Sequence, residues 1–208
     1  MTAVDTHRIS TPAELRAIIG TPSDLVPHKL WTALDDTCTD FIQRSPFLLL
    51  STSDAEGKMD VSPKGDGPGF VAVENETTLL IPDRSGNKLI FGLQNILANP
   101  HIGLIFLLPG TGETLRVNGT AELTINPAIL ERLSARGKPA VVAIRVSIKE
   151  VFYHCAKAFL RAQLWKPETW QEKKKISFGK ILAGKMGGDA KMAEEIDQFV
   201  EQDYETNL

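Results

Sequence analysis

Cysteine is almost missing from this sequence: Cys38 and Cys155 are the only two in 208 residues. They cannot make a disulfide framework, and neither belongs to a Cys-x-x-Cys pair. Long apolar runs are missing too; the strongest, Ile102 to Leu108, is far too short to span a bilayer. No basic stretch followed by an apolar run opens the chain, so no secretory leader is expected, and the expected location is a reducing cytoplasm. Positive charge is not in excess. The 23 Lys and Arg stand against 26 Asp and Glu, a formal charge of −3, which gives no basic field for a nucleic-acid backbone. The four histidines, His7, His28, His101 and His154, have no metal-ligand spacing, and no metal site is expected. There is no Gly-x-Ser-x-Gly elbow, no Gly-x-x-x-x-Gly-Lys phosphate loop and no dinucleotide fingerprint, which removes protease, kinase and Rossmann readings.

What is present is ordinary globular composition, 42% hydrophobic and 24% charged, at a length suited to one domain with appendages. Thr11-Pro12-Ala13-Glu14 has the cap, first-turn proline and capping-box acid of a helix start, and Gly20 ends that helix. A second helix is expected to carry Leu30, Trp31, Leu34, Cys38, Phe41 and Ile42 on one face until Ser45-Pro46 stops it. Strands are expected at 47–52, 58–62, 70–73, 77–81, 102–108, 114–123 and 141–152, the clearest being 114–123 with its strict alternation. A short helix is expected from Ser85 to before Asn99-Pro100, and another over 127–135. Closely spaced strands with little helix between them favour an antiparallel barrel or sandwich, whose packed interior leaves a sizeable ligand outside. The division expected is a helical preface at 1–45, a barrel at 46–165 and a charged helical extension at 166–208. Within the extension, 171–191 holds six Lys and two acids, whereas 192–208 holds six acids and no base.

Chemistry is concentrated in Pro82-Asp83-Arg84-Ser85-Gly86-Asn87-Lys88, between a strand and a helix. Ser85 is a good cap, Gly86 permits close approach, and Arg84 and Lys88 add cations where helix amides favour an anion; an ordinary capped helix with exposed bases explains the same residues. Lys64 and Gly65 open the glycine-rich loop 64–69, either a ligand-facing turn or a plain hairpin loop. Arg116 and Asn118 lie on the polar face of the best strand, as surface residues or as donors to a ligand between subunits. On a helix beginning near His154, Lys157, Arg161 and Trp165 follow as a basic stripe suited to stacking on an anionic aromatic ligand, or to plain solvation. Cys155 falls on the opposite face, which is expected to be packed.

Ser45 to Thr52, Val61-Ser62-Pro63-Lys64-Gly65-Asp66, Ile81 to Lys88, Asn99-Pro100, Leu115 to Ala121 and His154 to Trp165 together resemble the pyridoxamine 5'-phosphate oxidase-like, FMN-binding split-barrel superfamily. The resemblance covers roughly residues 30–170 and implies a mostly β, α+β chain: a six- to seven-stranded antiparallel Greek-key split barrel with N- and C-terminal helices. It implies a homodimer with one FMN in each of two interface clefts. The residues it assigns to the cofactor are Lys64, Gly65, Pro82, Asp83, Arg84, Ser85, Asn87, Lys88, Arg116, Asn118, Arg161 and Trp165. True pyridoxamine phosphate oxidases carry a C-terminal Arg-x-His substrate motif that this chain lacks. The expected activity is a flavin-dependent oxidoreduction of an unknown substrate, and the missing motif counts against a B6 vitamer. The alternatives are a non-catalytic flavin-binding protein for storage or sensing, or a barrel using deazaflavin or haem.

Overall fold

The computed structural model describes residues 7–86 and 88–206. Seven strands, β1 (Phe47–Ser53), β2 (Met59–Gly65), β3 (Ala72–Asn75), β4 (Thr78–Asp83), β5 (His101–Leu107), β6 (Thr114–Thr124) and β7 (Val142–His154), form one sheet. Its order is β2-β1-β5-β6-β7-β4-β3 and every pairing is antiparallel, as the alternation in the sequence anticipates. The sheet curls on itself as a split barrel. Lys64, on edge strand β2, forms an ion pair with Asp83 at the end of β4, so side chains join two strands that are far apart in the sheet order.

Inward-facing residues fill the barrel: Leu48 and Leu50 from β1, Leu104 and Phe106 from β5, Leu115 and Val117 from β6, Ile144 and Val146 from β7, all essentially without solvent contact. Each contributes about 1.5–3 kcal/mol by burial relative to exposure. A filled interior of this size puts a sizeable ligand on the outside.

The helices differ from expectation where local polar chemistry decides. Helix α1 (Pro12–Ile19) begins as read, with Thr11 Oγ1 accepting from the Glu14 amide at 3.2 Å. Helix α2 (Asp36–Arg44) does not start near Leu30, because Asp35 caps it by accepting from the Cys38 amide at 2.7 Å. Those bonds from Cys38 hold the Asp35 carboxyl below the usual carboxylate range. Trp31 lies outside the helix and bridges to Val151. Only Leu34, Cys38, Phe41 and Ile42 of the expected stripe are buried, and burial pushes the Cys38 thiol up to about 11. Ser45 Oγ then donates to Leu107 O at 2.6 Å, which fastens the end of α2 to β5.

Helix α3 (Phe91–Ala98) begins six residues after Ser85, with Ile90 at its cap and no side-chain capping bond. Lys88 takes φ +60°, a left-handed value that no helical first turn has. Ser85-Gly86 is therefore loop, and the expected helix-terminal anion site at Ser85 does not form. Helix α4 (Pro127–Arg132) leads into Leu133, which packs with Leu80, Ala140 and Ala143 in a second small core.

His154 ends β7, and α5 is only Lys157–Ala162. The expected continuous stripe from His154 to Trp165 is thus broken by a strand end and a turn. Cys155 is exposed, not packed. Helices α6 (Phe178–Met186) and α7 (Ala190–Thr206) pair as a hairpin. Lys175, just before α6, forms an ion pair with Glu201 of α7, while Asp197 accepts from Ser177 Oγ at 2.5 Å and from the Gly179 amide at 2.8 Å. Among the described residues no helix is long and apolar enough to cross a membrane.

Candidate functional site

A cleft of about 660 Å³ opens at the split of the barrel, between the inner face of β2, the loop after β4 and the start of α3. Its size is within the usual range for a small-molecule or cofactor site. Strand alternation turns Asp60, Ser62 and Lys64 of β2 to the same side, and all three line it. Asp83, Arg84, Ser85, Gly86 and Lys88 form the opposite wall, and Leu89, Ile90 and Phe91 add an apolar rim. A smaller cavity of about 170 Å³ shares Pro63, Lys64, Asp83 and Arg84 with the cleft and adds Gly65, Phe70 and Pro82.

The charges are already arranged without a ligand. Lys64 is bound to Asp83, with the two side chains 20% and 19% exposed. Arg84 donates from Nε to Asp66 Oδ2 at 3.1 Å and from Nη1 to Leu133 O at 2.7 Å. Asp66, only 11% exposed, also has Arg136 Nη2 at 3.6 Å from Oδ1. The small core beneath α4 fixes the Leu133 carbonyl, so the guanidinium plane of Arg84 is held on two sides. Its Nη2 makes no hydrogen bond among the described residues and is left for a ligand. Lys88 is exposed, lines the same wall and has no ion pair among the described residues. At Gly86 a β-carbon would meet nothing within 4 Å, so the backbone there is open to an approaching group.

Of the residues expected at a cofactor site, Lys64, Gly65, Pro82, Asp83, Arg84, Ser85 and Lys88 come together around these two cavities. Asn87 lies outside the described residues. Arg116 and Asn118 lie elsewhere, on the outward face of β6. Arg116 sits over the Phe152 ring with 5.0 Å between the guanidinium carbon and the centroid, and its Nε is buried without a hydrogen-bond partner. Asn118 donates to Glu150 Oε1 at 2.8 Å. Trp165 stacks on Phe159 at 5.8 Å and donates from Nε1 to Thr111 O at 2.8 Å, away from the cleft. Arg161 is exposed on α5 and does not line the cleft.

Asp60, Arg136 and Gly92 were not singled out in the sequence, and Asp66 stood there only as part of the Lys64-Gly65-Asp66 run. Only Asp60 left a signal there, the period-two series Asp60, Ser62, Lys64. Asp66 meets Arg84 across 18 positions of chain and Arg136 across 70, which no local pattern encodes.

Residues 34–155 match the sequence profile of the pyridoxamine 5'-phosphate oxidase family, and the chain belongs to that family. Solved structures extend the likeness at low identity. HupZ from Group A Streptococcus is 18% identical with a TM-score of 0.48, over 58% of this chain and 93% of that one. General Stress Protein 26 from Bacillus anthracis is 16% identical with a TM-score of 0.43, over 55% and 88%. An FMN-binding protein from Syntrophomonas wolfei is 12% identical with a TM-score of 0.43, over 56% and 88%. No curated protein matches the chain in sequence.

Proposed function

We propose that this protein binds FMN in the cleft at the barrel split and acts as a flavin-dependent oxidoreductase in the cytoplasm, as a homodimer. The observation that carries the reading is the wall formed by Arg84, Ser85, Gly86 and Lys88. It offers a braced guanidinium with a free edge, an unpaired ammonium and open backbone, which together suit a phosphate monoester. Bound FMN would supply the electron chemistry, while this chain anchors the phosphate, orients the ring and shields it from water.

The protein should first be loaded with FMN and then mixed anaerobically with NADH or NADPH. Bleaching of the bound flavin, and its return when oxygen or another acceptor is admitted, is the expected result. A loaded protein that neither donor reduces would point instead to storage or sensing.

A further inference from the structure

The last two helices leave an apolar face uncovered. Helices α6 and α7 pack chiefly on each other. Gly179 and Ala183 of α6 and Ala193 of α7 are buried along their contact line, and a β-carbon at Gly179 would press into the Ala193 carbonyl. Lys175 pairs with Glu201 and the Gly179 amide donates to Asp197, so the two helices run antiparallel. At about 3.6 residues per turn, Phe178, Ile181, Leu182 and Met186 fall to one side of the contact line on α6. Ile196 and Phe199 fall to the same side on α7. All but the half-buried Ile196 are exposed, Phe199 by 70%. One side of the hairpin is therefore apolar, a patch that monomers seldom leave to water.

Charge decides what covers it. Helix α6 carries Lys180 and Lys185 and no acid, and Lys173, Lys174 and Lys175 precede it. Helix α7 carries six acids and, apart from Lys191 in its first turn, no base. An anionic lipid surface suits the lysines but repels the acids of α7. A second hairpin answers both helices at once. Turned about a twofold axis that runs along the helices, it lays α6 of one copy antiparallel on α7 of the other, apolar side to apolar side and base to acid.

We propose that this face docks on the same face of a second copy of the chain, α6 against α7 in both directions, closing a four-helix bundle. The contact lies outside the barrel and forms whether or not the cleft holds FMN.

Disulfide trapping between two full-length versions of the chain tests it. Both carry Cys155→Ser, which removes the exposed native thiol. One adds Phe178→Cys and a long tag, the other Phe199→Cys and a short tag; both positions are exposed, so neither change opens a core. Phe178 and Phe199 flank the level of the Gly179–Asp197 hydrogen bond, so the twofold arrangement sets Phe178 of one copy over Phe199 of the other. The two versions are co-expressed and oxidised with copper phenanthroline, and a non-reducing gel separates the long–short disulfide from the two like-tagged ones. The long–short band should exceed each like-tagged band by about tenfold, because the bundle raises the effective concentration of that thiol pair alone. A statistical mixture of the three bands, a dominant like-tagged band, or no disulfide between chains would each overturn the assignment. Co-sedimentation of the unaltered chain with phosphatidylglycerol vesicles, without the long–short disulfide, would give the face to lipid instead.

Discussion

Replacing Arg84 and Lys88 together with alanine is expected to abolish FMN retention during purification. Each side chain offers a phosphate a charge-assisted hydrogen bond worth about 2 kcal/mol, roughly thirtyfold in affinity, so the pair should weaken binding by roughly a thousandfold. The single variants separate binding from folding. Lys88 is exposed and without an ion pair among the described residues, so Lys88→Ala should lose affinity with an unchanged melting temperature. Arg84 braces Asp66 and the Leu133 carbonyl, so Arg84→Ala should also lower stability, because Asp66 would keep only the Gly67 amide and the more distant Arg136. Isothermal titration of FMN and thermal melting of each variant read the two effects apart. Undiminished FMN affinity in the double variant would move the phosphate site elsewhere.

The second large effect is on the barrel itself. Gly119 faces Ile148 where β6 and β7 slip register by one residue, leaving Lys149 as the extra residue on β7. A β-carbon at Gly119 would press deep into the Ser147 carbonyl, a backbone group that cannot rotate away. Gly119→Ala is expected to cost about 3 kcal/mol or more, with a fall in melting temperature of roughly 6–12 °C. Gly86→Ala, where a β-carbon meets nothing, is the matched control and should melt with the unaltered protein. A Gly119→Ala variant of unchanged stability would contradict the bulge geometry.

The barrel was legible in the sequence because its signal is local. Strand β6 alternates Thr114, Arg116, Asn118 and Thr120 with Leu115, Val117, Gly119 and Ala121, and that period survives any tertiary arrangement that buries one face. Capping signals were less dependable. Thr11 and Glu14 behaved as read, but Ser85 has the residue type of a cap and sits in a loop, because left-handed Lys88 stops the backbone from entering a helix. The apolar run of Leu89, Ile90 and Phe91 carries no mark of where the first turn begins, and α3 starts without any side-chain cap. Leu30 and Trp31 have helical spacing from Leu34, yet Asp35 captures the Cys38 amide and sets the helix start downstream.

The site divides in the same way. Lys64, Arg84 and Lys88 stand out as cations beside glycine, and the fold brings all three to one cleft. What the sequence did not reveal is that carboxylates already hold two of them. The Lys64–Asp83 and Arg84–Asp66 pairs link residues 19 and 18 positions apart, through the closure of the barrel. That Lys88 and Asp60 have no ion pair among the described residues follows from those tertiary pairings and not from residue type. Trp165 shows the converse. Its spacing suited a ligand, but its indole nitrogen is committed to the Thr111 carbonyl and its ring to Phe159.

The most direct test of the central claim is the visible absorption spectrum of the purified full chain, before and after incubation with FMN, with the released ligand identified by mass spectrometry. The expected result is the two-banded spectrum of an oxidised flavin and one FMN per chain on release. A haem-type spectrum, or a colourless protein that takes up no added FMN, would contradict it.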